Sequence, residues 1–487
     1  MICTVIQEKT NEAVLSAISK AKKLGSDLVE IRLDYIRKPN LKLILQRKSL
    51  PAVVTVRPLW EGGNYKDSED SRIALLREAV SLGAEYIDVE FKAYKDFNRG
   101  NTKLILSYHN SSSIPHNLAV IFDKMAELNP DIIKIAVTPR SIGDVITLAK
   151  LQRSVSVPAT IFPMGELGVS SRILYKRLGG VLTYAAITKD KKTASGQLLL
   201  SELINTYRVN DIKDSTAIYA IFGNPVSHSR SPIIFNSAFK RDGINAIYVP
   251  ILIDDISKIK DVIDVLGISG AAVTIPHKEG VIKYLDELDD ASSTIGAVNT
   301  IVVRDGKLVG YNTDVSAVDI ISDTIKCKFG VNPKGKDALV IGAGGTARAI
   351  VYRLVESGAI VTIANRTPEQ AKMLAEEFGC NYLMLGDVLE LNADIVVNAT
   401  SVGMYPDKDN SPIDRRIFRK NTIVLDCVYT PKKTRFLRDA KKAGATIIYG
   451  TDMFIRQASL QYRYFTGKNL SPQILKKWNK LISSSRR

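Results

Sequence analysis

The chain has 487 residues, 45% hydrophobic and 24% charged, with 31 Gly and 18 Pro. That length exceeds one ordinary core, and that composition excludes disordered and fibrous protein. Lys plus Arg (67) exceed Asp plus Glu (51), a net charge of +16, which leaves nucleic acid, a membrane surface or anionic small molecules as partners.

The four cysteines, Cys3, Cys327, Cys380 and Cys427, lie far apart without a CxxC pair. A disulfide scaffold and a paired-cysteine zinc site are thereby excluded, and a reducing compartment is favoured. No run approaches the ~20 apolar residues of a membrane helix. The opening residues MICTVIQEKTNEAV carry no leader pattern, so the expectation is a cytoplasmic protein that inserts in no membrane. The basic excess forms no nucleic-acid stripe: residues 1–210 carry +9, residues 211–452 carry −1, and the last 35 hold eight basic residues and no acid. A solvated basic helix is expected for that tail, and no nucleic-acid partner is expected for the chain.

Short β-branched runs recur at 2–6, 28–33, 52–56, 86–91, 103–108, 132–137, 158–162 and 181–186, too short for helices. Between them lie stretches of helical spacing such as NEAVLSAISKAKKLG. Eight strand–helix repeats in about 200 residues predict a parallel (β/α)8 TIM barrel over residues 1–210. In such a barrel the chemistry sits where strands run into loops. There the sequence places Glu30, Arg32, Arg57, Glu61, His109, Lys134 and, after the seventh strand, Arg172.

Lys134 stands among Ile132, Ile133, Ile135 and Ala136, and alternation points it into the barrel. Desolvation lowers the pKa of such an amine and makes it a nucleophile toward a ketone. A salt-bridged lysine is the competing explanation. His109, one strand away, supplies the proton shuttle that an imine-forming lysine requires.

The ordered set EIRLDY, TVRPLWEGG, SYHN, KIAVTP, MGELGVSSR and TASGQ resembles type I 3-dehydroquinate dehydratase across residues 1–210. The resemblance implies an imine between Lys134 and the ring ketone of 3-dehydroquinate, with His109 moving the proton and Glu61 orienting it. It assigns Glu30, Arg32, Arg57 and Arg172 to substrate binding, Arg172 gripping the carboxylate. Thr193 and Gln197 fall in the family's lid. There this chain reads Thr-Ala-Ser-Gly-Gln where the family commonly has Ser-Ala-Pro-Gly-Gln, so a less rigid lid is expected.

After a helical SGQLLLSELI, a short polar linker (205–216) precedes a new strand at Ala217, so two halves that fold separately are expected. Gly223 to Pro232 form a polar turn before a helix, in which Ser229 and Ser231 read either as cap residues or as a grip on a carboxylate. Further on, Gly342-Ala343-Gly344-Gly345-Thr346-Ala347 sits between an apolar strand and a helix. That is the dinucleotide fingerprint. The following strand ends in Asn365-Arg366-Thr367 rather than an acid, which favours NADP(H) over NAD.

The ordered motifs GNPVSHSRSP, VTIPHK, GAVNT, GYNTD, GAGGTARA, NRT, NATSVGM and GTDMFIRQA resemble shikimate dehydrogenase from about 217 to 470. The resemblance implies a two-lobed α/β protein, with a substrate lobe at 217–335 plus 452–487 and a Rossmann NADP-binding lobe at 336–451. It assigns Lys278 and Asp314 to catalysis, Ser229, Ser231, Thr274, Asn299, Tyr429 and Gln457 to shikimate, and Gly450 to the cofactor. Arg456 precedes Gln457 where many relatives have His.

The expected activity is therefore double: dehydration of 3-dehydroquinate to 3-dehydroshikimate, then NADPH-dependent reduction to shikimate. The competing enzymatic expectation is a dehydrogenase half that prefers quinate or NAD. A non-catalytic RNA-binding protein built on the same folds is disfavoured, because Lys134, His109, Lys278 and Asp314 are all present.

Overall fold

The eight apolar runs of the first half become strands β1 (Ile2–Ile6), β2 (Leu28–Arg32), β3 (Ala52–Thr55), β4 (Tyr86–Glu90), β5 (Lys103–Asn110), β6 (Ile132–Val137), β7 (Ala159–Pro163) and β8 (Thr183–Ala186). The computed structural model describes residues 1–95, 98–329 and 333–483. Each strand pairs in parallel with its predecessor from β1 to β7, and β8 pairs with β1. At the β7/β8 seam no ladder forms. Instead Val181 N donates to Ala159 O at 3.1 Å and Leu182 N donates to Thr160 Oγ1 at 2.9 Å. Amphipathic helices run between strands, as at Ile142–Ser154, where Ser141 and Asp144 form a reciprocal capping box. Cys3, Leu28, Val53, Ile105, Ile132, Phe162 and Tyr184 belong to one buried cluster to which neighbouring strands contribute in turn.

Two segments differ from expectation. A ninth strand, β9 (Leu198–Leu199), adds to β8, and the helix expected over SGQLLLSELI begins only at Leu200, with wide π-type turns over Glu202–Thr206. Arg172 lies in a short helix, Val169–Ile173.

By compactness the chain divides into Met1–Pro232 with Phe239–Ile268, and Ile233–Ala238 with Ser269–Arg487. The first unit carries, besides the barrel strands, the parallel pair β10 (Ala217–Gly223) and β11 (Ala246–Leu252). The second carries β12 (Ile268–Val273) from Ser269 on, β13 (Glu287–Leu288), β14 (Thr300–Arg304) and β15 (Lys307–Tyr311), in which β14 runs antiparallel to β12 and β15. It also carries β16 (Asp337–Ile341), β17 (Ile360–Asn365), β18 (Asn381–Met384), β19 (Ile395–Asn398), β20 (Ile423–Asp426) and β21 (Thr446–Ile448), all parallel. Their order, β18-β17-β16-β19-β20-β21, is the doubly wound dinucleotide order, which reverses direction between β16 and β19. Alternating residues of β16 belong to two separate buried clusters, as a sheet covered on both faces requires.

The basic tail is not simply solvated. Residues Gly450–Thr466 form one helix and Pro472–Ser483 another. In the second, Trp478 is fully buried, with its ring centroid 5.5 Å from that of Phe235 and edge-on to Tyr462, while Lys476, Lys477 and Lys480 are exposed. Residues 484–487, the end of that tail, lie outside the described residues. Removing so large a buried ring leaves a cavity. Trp478→Ala is expected to cost about 3–5 kcal/mol in urea unfolding, whereas Lys477→Ala on the exposed face changes little.

Two candidate active sites

Inside the barrel, strand alternation sends Glu30, Asp88, Glu90, Ser107, His109 and Lys134 to the same side. The register sets Ser107 opposite Lys134 and His109 two residues further along β5. Lys134 Nζ donates to Asp88 Oδ2 at 2.9 Å, stands 3.5 Å from Glu30 Oε2, and lies 4.3 Å from the Tyr184 ring centroid. The Tyr184 hydroxyl is buried without a hydrogen bond among the described residues.

Arg57, almost completely buried, donates to Glu90 Oε1 at 2.7 Å, Asp88 Oδ1 at 2.9 Å and Ser107 Oγ at 2.8 Å, and lies 3.6 Å from Glu61 Oε2. These carboxylates raise its affinity for its proton against the cost of burial, and the same contacts hold Asp88 far below the usual carboxylate range. From the helix Glu69–Ser81, the fully buried Arg72 grips Glu90 Oε2 from the other side and donates to Val56 O at 3.1 Å.

Glu61 Oε2 meets His109 Nδ1 at 2.8 Å. Burial pushes the Glu61 carboxyl up to about 8, and burial with Arg57 and Lys134 nearby pushes His109 well below its ordinary value. Both directions favour neutral groups, so His109 is available to accept a proton.

Of the arginines expected to bind ligand, Arg32 is already clamped by Asp34 through two hydrogen bonds of 2.8 and 2.7 Å, and Arg57 is fully engaged by protein carboxylates. Arg172 differs. It is 4% exposed, rests on the Phe162 ring at 5.1 Å, and has no hydrogen bond or ion pair from its guanidinium among the described residues. Burial alone lowers it to about 10. An uncompensated buried cation facing no protein carboxylate suits an anionic ligand.

The segment expected to form a lid makes hydrogen bonds of its own. Gln197 Oε1 accepts from Thr193 N (2.7 Å) and Thr193 Oγ1 (3.1 Å), and Gly165 N donates to Ser195 O at 3.1 Å. A Cβ on Gly196 would lie 2.0 Å from Gly165 O, so the two backbones touch as only glycine permits.

In the second unit, Lys278 follows β12, Asn299 precedes β14, and Asp314 sits in a 3-10 turn after β15. Lys278 Nζ donates to Asp314 Oδ2 and, at 2.8 Å, to Thr346 Oγ1. Asp314 Oδ1 accepts from Asn299 Nδ2 at 2.8 Å, and its backbone N donates to Asn312 Oδ1 at 3.0 Å. Asn299 Oδ1 accepts from Thr313 N, while Gln457 Oε1 meets Thr313 Oγ1 at 3.3 Å. Tyr429 stacks on Phe454 at 4.5 Å, and the Thr274 carbonyl accepts from His277 N. Gly450 begins its helix where a Cβ would lie 2.4 Å from Val428 O, so close backbone approach explains this glycine. In the first unit, Ser229 Oγ accepts from Ser231 N at 3.2 Å, so Ser229 serves as a turn residue at the start of the helix Ser231–Arg241.

The fingerprint residues suit a dinucleotide. Gly342 has φ +116° and lies against Ala399 and Thr400, while a Cβ on Gly344 would meet nothing within 4 Å, leaving room for a pyrophosphate. The helix beginning at Gly345 has no side-chain cap. Ala347 is fully buried, consistent with close helix–sheet packing. Asn365 Nδ2 donates to Thr367 O and Gln370 Oε1. Arg366 is exposed without an ion pair among the described residues, as a 2′-phosphate site requires.

Asp88, Glu90, Arg72 and Tyr184 were absent from the sequence-derived set. For the acids a signal existed, since Asp88 and Glu90 alternate with Ile87 and Val89 along one buried strand.

Comparison with known proteins agrees with this division. The family model for type I 3-dehydroquinase matches residues 2–214, that for the shikimate dehydrogenase substrate binding domain matches 221–301, and that for shikimate / quinate 5-dehydrogenase matches 323–409. The chain is 38% identical to the chloroplastic bifunctional 3-dehydroquinate dehydratase/shikimate dehydrogenase of Arabidopsis thaliana, over 98% of this chain and 84% of that protein. It is 39% identical to the NADP(+) shikimate dehydrogenase of Methanocaldococcus jannaschii, over 54% of this chain and 96% of the other. A crystal structure of shikimate dehydrogenase in complex with NADP+ superposes with a TM-score of 0.51 at 37% identity, covering 55% of this chain and 96% of that one. The Aquifex aeolicus shikimate dehydrogenase structure gives 0.50 at 33%, covering 55% and 98%.

Two outcomes follow from the barrel electrostatics. Arg172→Met fills similar space without the charge, so the ligand-free variant is expected to be about 1–3 kcal/mol more stable in urea; a lower midpoint would show that the guanidinium stabilises the fold. Glu61 is raised from 4.5 to about 8, so the folded chain keeps a proton that the unfolded chain releases between those values. Its stabilising contribution is complete below the lower value and is lost as pH rises through the upper one. The stability of Glu61→Gln relative to wild type should therefore increase from about pH 5 to pH 8, and a difference independent of pH would contradict the assignment.

Proposed function

Because the chain belongs to the bifunctional 3-dehydroquinate dehydratase/shikimate dehydrogenase family, we propose that its two candidate sites carry out those reactions through the following residues. The protein is a lyase and an NADP-dependent oxidoreductase of the shikimate pathway. The observation that carries the barrel assignment is an interior lysine against Asp88 with a neutral imidazole on the neighbouring strand.

Lys134 Nζ, giving up a proton, attacks the ring ketone of 3-dehydroquinate, and loss of water leaves an imine. The iminium draws electrons from the adjacent C–H bond, and His109 takes that proton. The imidazolium so formed faces Glu61 Oε2 at 2.8 Å, and this carboxyl oxygen accepts from its Nδ1–H. His109 then returns the proton to the departing hydroxyl, so water leaves and the ring gains its double bond. Water hydrolyses the imine and frees Lys134. Arg172 holds the substrate carboxylate, Glu30 and Arg32 border the ring, and Thr193 and Gln197 close over it.

At the second site Lys278 and Asp314 handle the hydroxyl proton of shikimate, with Asn299 orienting Asp314. Thr274, Tyr429 and Gln457 complete the shikimate contacts within this unit. Gly342, Ala343 and Gly344 admit the pyrophosphate, Asn365, Arg366 and Thr367 receive the 2′-phosphate, and Ala347 and Gly450 border the cofactor. When bound, NADPH supplies the hydride. The exposed Arg366 and the absent acid at the end of β17 support this cofactor over NAD. The widely spaced free cysteines support a reducing compartment, for which the cytoplasm is proposed. No helix among the described residues is long and apolar enough to cross a membrane.

The test supplies 3-dehydroquinate and NADPH to the full chain and follows NADPH oxidation together with shikimate. Lys134→Ala should lower turnover of 3-dehydroquinate at least about a thousand-fold while sparing reduction of added 3-dehydroshikimate, and Lys278→Ala should do the converse. Undiminished dehydration by Lys134→Ala would overturn the barrel assignment. Faster oxidation of quinate than of shikimate would overturn the substrate assignment.

A further inference from the structure

The fingerprint Gly342-Ala343-Gly344-Gly345-Thr346-Ala347 is expected to serve the nucleotide as a unit, but its side chains and glycines face different partners. Gly342 packs against the end of β19 at Ala399, and Gly344 opens on free space. Gly345, one residue on, does not. A Cβ there would lie 2.8 Å from Lys278 Cβ and 3.1 Å from Lys278 Cδ. The lysine stem therefore runs across the start of the helix Gly345–Glu356, through space that any larger residue would close. Gly345 lies outside the left-handed region, so backbone strain is not what requires a glycine there.

Thr346 continues the same contact. Its Oγ1 accepts from Lys278 Nζ at 2.8 Å and donates to Asp314 Oδ2 at 3.2 Å, while Lys278 also donates to that carboxylate oxygen. Three polar atoms close a ring in which each is held by the other two. Asp314 Oδ1 is meanwhile fixed by Asn299 Nδ2. Two of the three hydrogens on the ammonium are thus committed, one to Asp314 and one to Thr346, which leaves one for a ligand hydroxyl. Without the threonine hydroxyl the flexible four-carbon stem of Lys278 has a single anchor, and its direction is no longer defined.

The geometry points to Gly345 and Thr346 as positioning residues for the Lys278–Asp314 pair: the first half of the fingerprint admits the nucleotide, and the second half aims the lysine. This rests on the assignment of Lys278 and Asp314 to the dehydrogenase reaction. It separates two properties that a purely nucleotide-binding fingerprint would lose together, namely cofactor affinity and the rate of the chemical step.

The experiment uses the full chain with Thr346→Val, Thr346→Ser and Gly345→Ala, and two readouts. One is the Kd of NADPH measured by fluorescence titration without shikimate or 3-dehydroshikimate. The other is kcat and KM for 3-dehydroshikimate reduction. Thr346→Val, which keeps the shape and loses the hydroxyl, should lower kcat by about ten-fold or more with the NADPH Kd within about two-fold of wild type. Thr346→Ser should restore kcat, and Gly345→Ala, by displacing the lysine stem, should lower kcat at similar NADPH affinity. Preserved NADPH binding also shows that each variant is folded. A Thr346→Val variant that loses NADPH affinity with unchanged kcat would assign the hydroxyl to the nucleotide and overturn the inference, as would one in which neither quantity moves. Failure of the underlying assignment has a separate signature: Lys278→Met that still reduces 3-dehydroshikimate at the wild-type rate removes the lysine from the reaction and the inference with it.

Discussion

The barrel site depends on one buried guanidinium. Arg57 brings Asp88, Glu90 and Ser107 within hydrogen-bonding distance and has Glu30 and Glu61 within 4 Å. Four carboxylates cannot be buried together unless cations offset them, and Arg57, Arg72 and Lys134 do so at short range. Placement of the reactive groups follows from this compensation. Asp88 is ionised because Arg57 and Lys134 face it, and Lys134 is aimed by Asp88. Glu61 and His109, at the rim of the cluster, have too little compensation to stay charged and become neutral partners. A base that must accept a proton from carbon therefore lies beside a fixed cluster of charge without itself being charged.

The second site solves the same positioning problem with mostly neutral donors. Among the described residues, Asp314 is the only carboxylate in its hydrogen-bonded group. It is met by an ammonium, a threonine hydroxyl, an asparagine amide and, at its backbone nitrogen, the Asn312 side chain. The arrangement also places residues of the dinucleotide fingerprint in direct contact with the acid–base pair, so the nucleotide-binding loop and the reactive groups share one hydrogen-bonded cluster.

Much of this was legible in the sequence because it depends on period. Alternation along β5 and β6 placed His109 and Lys134 inside, and glycine spacing between a strand and a helix marked the nucleotide loop. What escaped depends on contacts between distant segments. Arg72 sits on an outer helix in a sequence that reads as a solvated face, and only the folded barrel shows its guanidinium reaching Glu90. Asp88 and Glu90 were readable from alternation, yet two acids in a buried strand make sense only once Arg57 is seen between them. Trp478 was hidden by its basic neighbours: an acid-free stretch reads as solvated, whereas Ile474, Trp478 and Ile482 form a buried stripe beneath exposed lysines. The resemblance singled out Arg172 among the barrel arginines, but the residues alone did not, because the freedom of Arg172 is a property of what does not surround it.

The account turns on whether a covalent bond forms at that compensated lysine. Incubation of the full chain with 3-dehydroquinate and borohydride, followed by proteolysis and mass spectrometry, tests this directly. The predicted result is one substrate-derived mass addition on the peptide bearing Lys134, absent from Lys134→Ala and reduced in Arg172→Met. Trapping on a different lysine, or full dehydratase inactivation without any adduct at Lys134, would contradict the account.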